Sequence, residues 1–287
     1  MRFWLVILTM PLSAAVVSEV RNKISAGDLT SADAIADEFC RIHGPNSECA
    51  AATSWLARGA LNLHDYPLAS RYLTKTKTIT ADLLKSTRVE DDNFLTAAVG
   101  AQFEAEARLL AAQGARDKAV ALLNTELAKS PSYDLHARIQ KNLNLLTLEG
   151  KPAPHLEPGD KGKVVLLFLW GHWCGDCAAQ AAILARIHQR YPSVAIRTIT
   201  RRVGFAKGIE NPTPAQEDAD RERVWKETYH GLDDVSHPVN EAAMLDYGAS
   251  STPTFVLIDR GGIVRMYKPF RFSEAELARQ IERVLGE

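Results

Sequence analysis

The sequence lacks several features that would place it in a specialised class of protein. Only four of its 287 residues are cysteine, which is too few for a small domain built around disulfides. Neither sign of charge dominates, since 34 lysines and arginines stand against 35 aspartates and glutamates. A protein without excess positive charge has no field to attract a phosphate backbone, so we expect no nucleic-acid partner.

Long apolar runs are also absent from the rest of the chain after the amino terminus. No later segment reaches the ~18 apolar residues that a membrane-spanning helix needs. The composition is that of a globular protein, with 46% hydrophobic and 24% charged residues. At roughly 150 residues per domain, the length predicts two domains. No cysteine follows a Pro-x-x-x-Thr-x-x pattern, which argues against a peroxidase.

The amino terminus has the layout of a secretory signal peptide. Arg2 precedes an apolar run over residues 3–12, and small residues follow at Ser13 and Ala15. We therefore expect residues 1–15 to be a signal peptide and the protein to be periplasmic or secreted, where disulfides persist. Two alternatives stay open: an uncleaved segment that anchors the protein to a membrane, and the first core helix of a soluble protein.

Residues 18–149 are predicted to form an α-helical domain, because apolar residues recur there at helical spacing. Three turn residues are each followed five positions later by alanine and then, four positions on, by another apolar residue. The sets are Gly27, Ala32 and Ala36; His64, Ala69 and Leu73; and Gly114, Ala119 and Leu123.

This arrangement resembles the second helix of tetratricopeptide repeats, although the three turns are unevenly spaced. Stacked helical pairs of this kind commonly offer a groove, so we expect a peptide or protein partner for this domain. A plain helical bundle without repeats is the alternative. In either case the domain shows no evident catalytic cluster.

Two cysteines flank a strong helix-breaking segment in this domain. Cys40 and Cys49 lie at the predicted end of one helix and start of the next, on either side of residues 43–47. Cysteines on both sides of a helical turn can approach to disulfide distance. We expect a structural disulfide in an exported protein, and two buried free thiols are the alternative.

A proline- and glycine-rich segment over residues 150–159 predicts a domain boundary, and the chemistry follows it. Residues 164–170 form a continuous apolar run typical of a strand buried on both faces. The motif Trp173-Cys174-Gly175-Asp176-Cys177 comes next, then a predicted helix over 178–190 and a strand over 194–199.

A cysteine at the start of a helix meets free N–H groups that stabilise its thiolate. Cys174 is therefore the expected nucleophile. Cys177 lies about one turn deeper in the helix and is expected to resolve the mixed disulfide that Cys174 forms.

Together with Thr252-Pro253 before a further strand and a Gly-Gly turn, this motif resembles the thioredoxin superfamily, and most closely its TlpA/ResA-like thiol–disulfide oxidoreductases. The resemblance covers residues 151–287 and implies an α/β thioredoxin-fold domain. It further implies a cis Pro253 facing the cysteines, a Thr252 that pairs with an extended substrate, and a Trp173 that covers the nucleophile. Protein substrates carrying disulfides or thiols, an upstream redox partner and no cofactor would follow.

The sequence departs from that family at three positions. Asp176 replaces a common proline, Phe168 replaces the buried acid of thioredoxins, and Gln180 replaces a frequent glutamate. The usual proton acceptor for Cys177 is therefore missing, which leaves the direction and rate of the reaction open. Asp176 is expected to tune the redox pair. His172 is predicted to be a surface side chain, with thiolate stabilisation or proton transfer as its alternative role.

Residues 201–235 are polar and charged, which predicts a solvated loop and a surface helix, with a partner-docking element as the alternative. The whole sequence thus predicts an exported thiol–disulfide oxidoreductase that contributes to cell redox homeostasis. Two other classes stay open. One is a copper- or zinc-binding protein using Cys174, Cys177 and a histidine such as His172, although no third ligand is evident and no metal site is predicted. The other is a redox-silent helical scaffold.

Overall fold

The computed structural model describes residues 15–130 and 132–286. The described residues fall into two compact units, and the division between them lies between Leu135 and His136. The predicted signal peptide lies outside the described residues except for Ala15, where the first helix begins. Within the described residues, no helix is both long enough and apolar enough to cross a membrane.

The first unit is helical, and its helices begin where short polar side chains cap them. Asp28, Asn46, Asp65 and Asp92 each accept a hydrogen bond from a backbone N–H of the first turn that follows. The helices are α1 (Ala15–Ser25), α2 (Leu29–His43), α3 (Ser47–Asn62), α4 (Tyr66–Leu83), α5 (Asn93–Ala112) and α6 (Arg116–Leu127), with a 3₁₀ turn at Val89–Asp91.

These helices pack as three consecutive pairs. The predicted turn residues Gly27, His64 and Gly114 lie inside the pairs α1–α2, α3–α4 and α5–α6, and all three have positive φ. The alanines five residues after them, and the apolar residues four further on, are buried: Ala32, Ala36, Ala69, Leu73, Ala119 and Leu123. Small side chains at these positions let neighbouring helices approach closely.

A disulfide joins the first two pairs. Cys40 near the end of α2 is bonded to Cys49 in the first turn of α3, with their Cα atoms 5.3 Å apart. Cys49 is buried and packs in a cluster that includes Ile79 and Ala98.

The second unit is built on a four-stranded sheet in the order β2-β1-β3-β4. Its strands are β1 (Val164–Leu169), β2 (Val194–Ile199), β3 (Thr254–Ile258) and β4 (Val264–Pro269). β1 runs parallel to β2 and antiparallel to β3, and β3 pairs with β4 as a hairpin. Every residue of β1 is buried, because apolar clusters cover both faces of the sheet.

In the part of the chain that the structure describes, six α-helices and a 3₁₀ turn at Pro158–Asp160 accompany the sheet. α7 (Tyr133–Thr147) begins at the end of the first unit and lies mostly in the second. The others are α8 (Gly175–Ala178), α9 (Ala181–Arg190), α10 (Pro214–Thr228), α11 (Glu241–Asp246) and α12 (Glu274–Leu285). The helix predicted over 178–190 corresponds to α9, which begins three residues later, and the short helix α8 precedes it.

α7 is fastened to the second unit by close backbone contact. Asn144 donates a hydrogen bond to the Asp246 carbonyl at 3.0 Å. Gly248 adopts a φ of +63°, and any β-carbon there would collide with the backbone of Lys141. The division between units consequently falls at Leu135, earlier in the chain than the boundary predicted near residue 150.

The proline- and glycine-rich segment predicted as a linker is bound to the sheet. The Gly150 N–H donates to the Val264 carbonyl at 2.8 Å, and the Ala153 N–H donates to the Gly262 carbonyl at 2.9 Å. Pro152 forms a bridge with Ile263 between these two bonds. The segment therefore covers the start of the edge strand β4.

Residues 201–235 are less solvated than predicted. Trp225 and Tyr229 are buried in the core cluster that contains Trp170, with Trp225 and Tyr229 stacked at 4.4 Å between ring centroids. Charged residues dominate the composition of this segment, so its sequence does not indicate that these two aromatic side chains are buried. The prediction of a purely solvated loop and surface helix was wrong for these positions.

Candidate active site

The two cysteines of the Cys-x-x-Cys motif lie at the start of α8. Their Cα atoms are 5.2 Å apart and they are disulfide-bonded. Cys174 caps the helix, and the Cys177 N–H donates to the Cys174 sulfur at 3.1 Å. Cys174 is half-buried, whereas Cys177 is fully buried. Of these two sulfurs, only that of Cys174 is therefore accessible to a reacting partner.

α8 has only four residues, so the helix stabilises negative charge on the Cys174 sulfur only through the N–H groups of its first turn. The dipole of a helix acts mainly within its first turn. Here the interaction of the helix with the Cys174 sulfur is mainly the hydrogen bond from the Cys177 N–H. A sulfur that accepts an N–H hydrogen bond holds negative charge more easily than one that does not.

The loop before β3 faces the accessible cysteine. The Thr252–Pro253 peptide bond is cis, and the Thr252 carbonyl oxygen lies 3.3 Å from the Cys174 sulfur. The structure thus brings Cys174, Thr252 and Pro253 together although 78 residues separate Cys174 from Thr252.

Trp173 lies beside the cysteine pair over a glycine. Its indole packs so closely on Gly171 that a β-carbon there would come within 2.6 Å of the ring. Gly171 was missed by the sequence analysis, because a glycine after a strand carries no signal of which ring it accommodates.

His172 is buried, so its prediction as a surface side chain was wrong. Its side chain is 1% exposed, and Nε2 lies 2.9 Å from the Phe205 carbonyl oxygen. A carbonyl only accepts hydrogen bonds, so Nε2 carries a proton and donates it. The ring meets the Trp173 ring edge-on at 5.0 Å between centroids.

Asp176, the unusual residue of the motif, points to a cation. The Arg271 Nε lies 3.5 Å from Asp176 Oδ1, and both side chains are more than half exposed. Arg271 was also missed, because nothing in the sequence connects it to a residue so far away. The pair lies at the surface, where water screens its charges.

Gln180 has a structural task. Its side chain is buried, its Oε1 accepts from the Phe272 N–H at 2.9 Å, and its Nε2 donates to the Phe272 carbonyl at 3.2 Å. Both ends of the amide are therefore occupied in holding the segment after β4. An amide in this arrangement does not serve as a proton acceptor for Cys177.

The described residues contain no group of three or more histidine, cysteine, aspartate or glutamate side chains placed to hold a metal ion. The arrangement at Cys174 instead suits sulfur chemistry. One sulfur is accessible and accepts an N–H hydrogen bond, the second is buried within bonding distance, and the Thr252 carbonyl oxygen faces the accessible sulfur.

Comparison with known proteins finds matches to part of the chain. No family model matches the chain. A stretch of 135 residues is 32% identical to the thiol:disulfide interchange protein DsbE of Xylella fastidiosa strain 9a5c, covering 42% of this chain and 60% of that protein. The protein of the same name from strain Temecula1 is 28% identical over 155 residues, covering 49% of this chain and 71% of that protein. The first match thus spans less than two thirds of its relative.

Solved structures resemble part of the chain. A secreted disulfide oxidoreductase of Mycobacterium tuberculosis has 18% identity and a TM-score of 0.35, covering 44% of this chain and 84% of that one. An exposed lipoprotein thioredoxin of Streptococcus pneumoniae has 23% identity and a TM-score of 0.35, covering 44% and 87%.

Proposed function

We propose that the carboxy-terminal unit belongs to the thioredoxin superfamily and that the protein is a thiol–disulfide oxidoreductase that acts on disulfides of other proteins. The partial match to a thiol:disulfide interchange protein supports this proposal. The observation that carries the proposal is the unequal pair of sulfurs. Cys174 is accessible, accepts the Cys177 N–H and lies 3.3 Å from the Thr252 carbonyl oxygen, whereas Cys177 is buried behind it.

In the reducing direction, the Cys174 thiolate attacks one sulfur of the substrate disulfide. A bond forms between Cys174 and that sulfur, the substrate disulfide breaks, and the other substrate sulfur leaves as a thiolate. Cys177 then attacks the Cys174 sulfur and releases the second substrate thiol. The substrate gains two electrons and the Cys174–Cys177 pair loses them. An upstream redox partner must reduce the pair again.

Cys177 must lose its proton before it attacks. Gln180 is unable to take it, since both ends of its amide are bound to Phe272. We propose that the departing substrate thiolate accepts this proton, directly or through water. The resolving step would then depend on the substrate being a good base.

The finer assignments are also proposals. We propose that the protein is exported, that Cys40 and Cys49 form a structural disulfide in the mature protein, and that the helical unit is a tetratricopeptide-like array that binds a peptide or protein. Three successive helix pairs with buried alanines after each turn support the last of these.

A glutathione redox titration of the purified full chain tests the main proposal. We expect one two-electron transition that disappears in Cys174→Ser and persists when Cys40 and Cys49 are both replaced by serine. Metal analysis of the same sample tests the alternative class. Stoichiometric copper or zinc together with no turnover of a peptide disulfide would contradict an oxidoreductase.

A further inference from the structure

The segment between β2 and α10, residues 201–213, presents two large apolar side chains to solvent. Phe205 is 43% exposed and Ile209 is 42% exposed. Placing apolar side chains in water is costly, so a molecule that covers both of them gains free energy.

The segment is held firmly by the side chains of α10. The buried carboxylate of Glu217 accepts hydrogen bonds from the Val203 N–H at 2.7 Å and the Gly204 N–H at 3.0 Å. Asp220 accepts from the Lys207 N–H at 3.2 Å. Three backbone groups are thus tied to one helix, so the segment has a defined conformation.

A small bridge fixes the two apolar residues relative to each other. The Ile209 N–H donates to the Ala206 carbonyl at 3.1 Å, and Ala206 is buried. Phe205 and Ile209 therefore flank the buried Ala206 in the sequence, and their own side chains are exposed.

A continuous set of contacts connects this segment to the active site. His172 donates to the Phe205 carbonyl, and its ring lies 5.9 Å from the Phe205 ring and 5.0 Å from the Trp173 ring. Trp173 precedes Cys174 directly. The exposed aromatic side chain is thus two ring contacts away from the residue that adjoins the reactive sulfur.

A further exposed apolar residue lies beside the cis-proline loop. Phe270 is 56% exposed and has a φ of +76°, a conformation that bulky L-residues rarely adopt. Its N–H donates to the Pro253 carbonyl at 2.7 Å. A strained backbone that displays an aromatic side chain at the rim of a site is a feature associated with function.

We propose that Phe205 and Ile209, together with Phe270 near Pro253, bind apolar side chains on the two sides of the cysteine in a disulfide-bearing polypeptide. His172 is a positioning residue that holds Phe205 in place. The inference rests on the proposed function, because the polypeptide in question is the disulfide substrate of Cys174. It adds a substrate class: polypeptides with large apolar residues next to the reactive cysteine.

Peptide disulfides that differ only at the flanking positions test this inference. One substrate carries leucine on both sides of its cysteine, one carries serine on both sides, and two carry leucine on one side only; oxidised glutathione is the small substrate. Phe205→Ser combined with Ile209→Ser should lower kcat/KM for the doubly flanked peptide roughly 10-fold. For the serine peptide and glutathione the change should stay below about twofold, because no apolar contact is lost.

The two sides of the rim should be separable. Phe270→Gly keeps the positive φ and removes the side chain, so it should impair the peptide flanked on one side, whereas the Phe205 and Ile209 change impairs the other. The matched control is Ile42→Ser in the helical unit, since Ile42 is also exposed, at 58%. This control should leave all rates unchanged.

His172→Leu removes the hydrogen bond to Phe205 and should reproduce the loss for the flanked peptides, whereas His172→Gln retains a donor and should restore most of it. Equal losses for leucine and serine peptides, or losses on the same side from both rim variants, would overturn the inference. Failure of the unaltered protein to reduce any substrate would instead contradict the proposed function.

Discussion

The protein contains two cysteine pairs whose second members occupy the same place in a helix. Cys49 and Cys177 each lie three residues after a helix cap and donate their N–H to it. At α3 the cap is Asn46, so an amide oxygen accepts the hydrogen bond. At α8 the cap is Cys174 itself, so a sulfur accepts it. The same local geometry therefore stabilises a helix start in one unit and a reactive sulfur in the other.

The surroundings widen this difference. Cys49 is buried among apolar residues of three helices, where neither a substrate nor a thiolate is accommodated. Cys174 is half-buried and faces the Thr252 carbonyl in the loop before β3. The two pairs therefore differ in the capping atom and in access, and not in the separation of their cysteines, whose Cα distances of 5.3 and 5.2 Å are nearly equal. We propose that the capping atom and access make Cys174 the reactive one.

Serine substitution gives the largest expected contrast between the pairs. Cys174→Ser should abolish reduction of a peptide disulfide, because the attacking sulfur is lost. Cys177→Ser should accumulate a mixed disulfide at Cys174, since attack proceeds and resolution does not. Replacing Cys40 and Cys49 together should leave turnover within about twofold, because neither lies at the site.

Non-reducing gel electrophoresis and mass spectrometry of trapped adducts provide the measurement. Adducts on Cys177 in the Cys174→Ser variant, rather than on Cys174 in the Cys177→Ser variant, would reverse the assigned roles. Loss of turnover in the Cys40 and Cys49 variant would show that the first pair takes part in the chemistry.

Much of this site could be predicted from the sequence, because its parts are local. A buried strand followed directly by Trp-Cys-Gly-x-Cys predicts the nucleophile, and the Thr252-Pro253 motif before a strand identifies the facing loop. The turns at Gly27, His64 and Gly114 could be predicted for the same reason. Each signal lies within a few residues of the feature that it predicts.

The missing parts depend on contacts between distant segments. Arg271 reaches Asp176 only because β4 ends beside α8, and His172 is buried only because the segment carrying Phe205 folds over it. The burial of Trp225 could not be predicted, because its neighbours in the sequence are charged. Sequence periodicity reports the environment along one element and gives no account of which loops meet.

Loss of the Cys40–Cys49 pair should affect stability although it leaves activity nearly unchanged. Replacing Cys40 and Cys49 by alanine should lower the free energy of unfolding of the helical unit by about 2–3 kcal/mol, because the short closed loop gains entropy in the unfolded chain. Hydrogen exchange in α2 and α3 measures the effect, with β1 and β3 as internal references. Complete alkylation of both cysteines in the non-reduced native protein would contradict a disulfide there.

Acid should weaken the sheet of the second unit through Asp259, which closes the β3–β4 turn. Burial alone raises the pKa of Asp259, but hydrogen bonds from the Ile263 N–H and the Arg265 guanidinium hold that pKa below its ordinary value of 3.8. A group with a lowered folded-state pKa stabilises the fold above its unfolded pKa, and this contribution is lost as pH falls through the lowered value.

Asp259→Asn should therefore cost about 1 kcal/mol at neutral pH and flatten the loss of stability below about pH 4. Urea unfolding of the full chain at several pH values, followed by exchange protection of β3 and β4, measures this. Asp234→Asn is the matched control, since Asp234 is largely exposed in the same unit. An unchanged acid dependence in Asp259→Asn would show that other carboxylates dominate.

The smallest expected effect concerns the charge between the two reactive cysteines. Asp176 repels a thiolate at Cys174, so its removal should favour the reduced form and raise the reduction potential. Arg271 opposes that repulsion from 3.5 Å, and both side chains are more than half exposed. Exposed charges of this kind interact by only ~0.2–1 kcal/mol, which corresponds to about 5–20 mV for a two-electron couple.

Asp176→Asn should thus raise the reduction potential by about 5–20 mV, and Arg271→Gln should lower it by a similar amount because the Asp176 charge is then uncompensated. The double variant should return close to the unaltered protein. Glutathione titrations at low and high salt measure these shifts, and both should shrink at ~1 M salt, where charges are screened within about 3 Å. Shifts of the same sign in the two single variants would mean that the ion pair does not set the potential and that Asp176 acts through the conformation of α8.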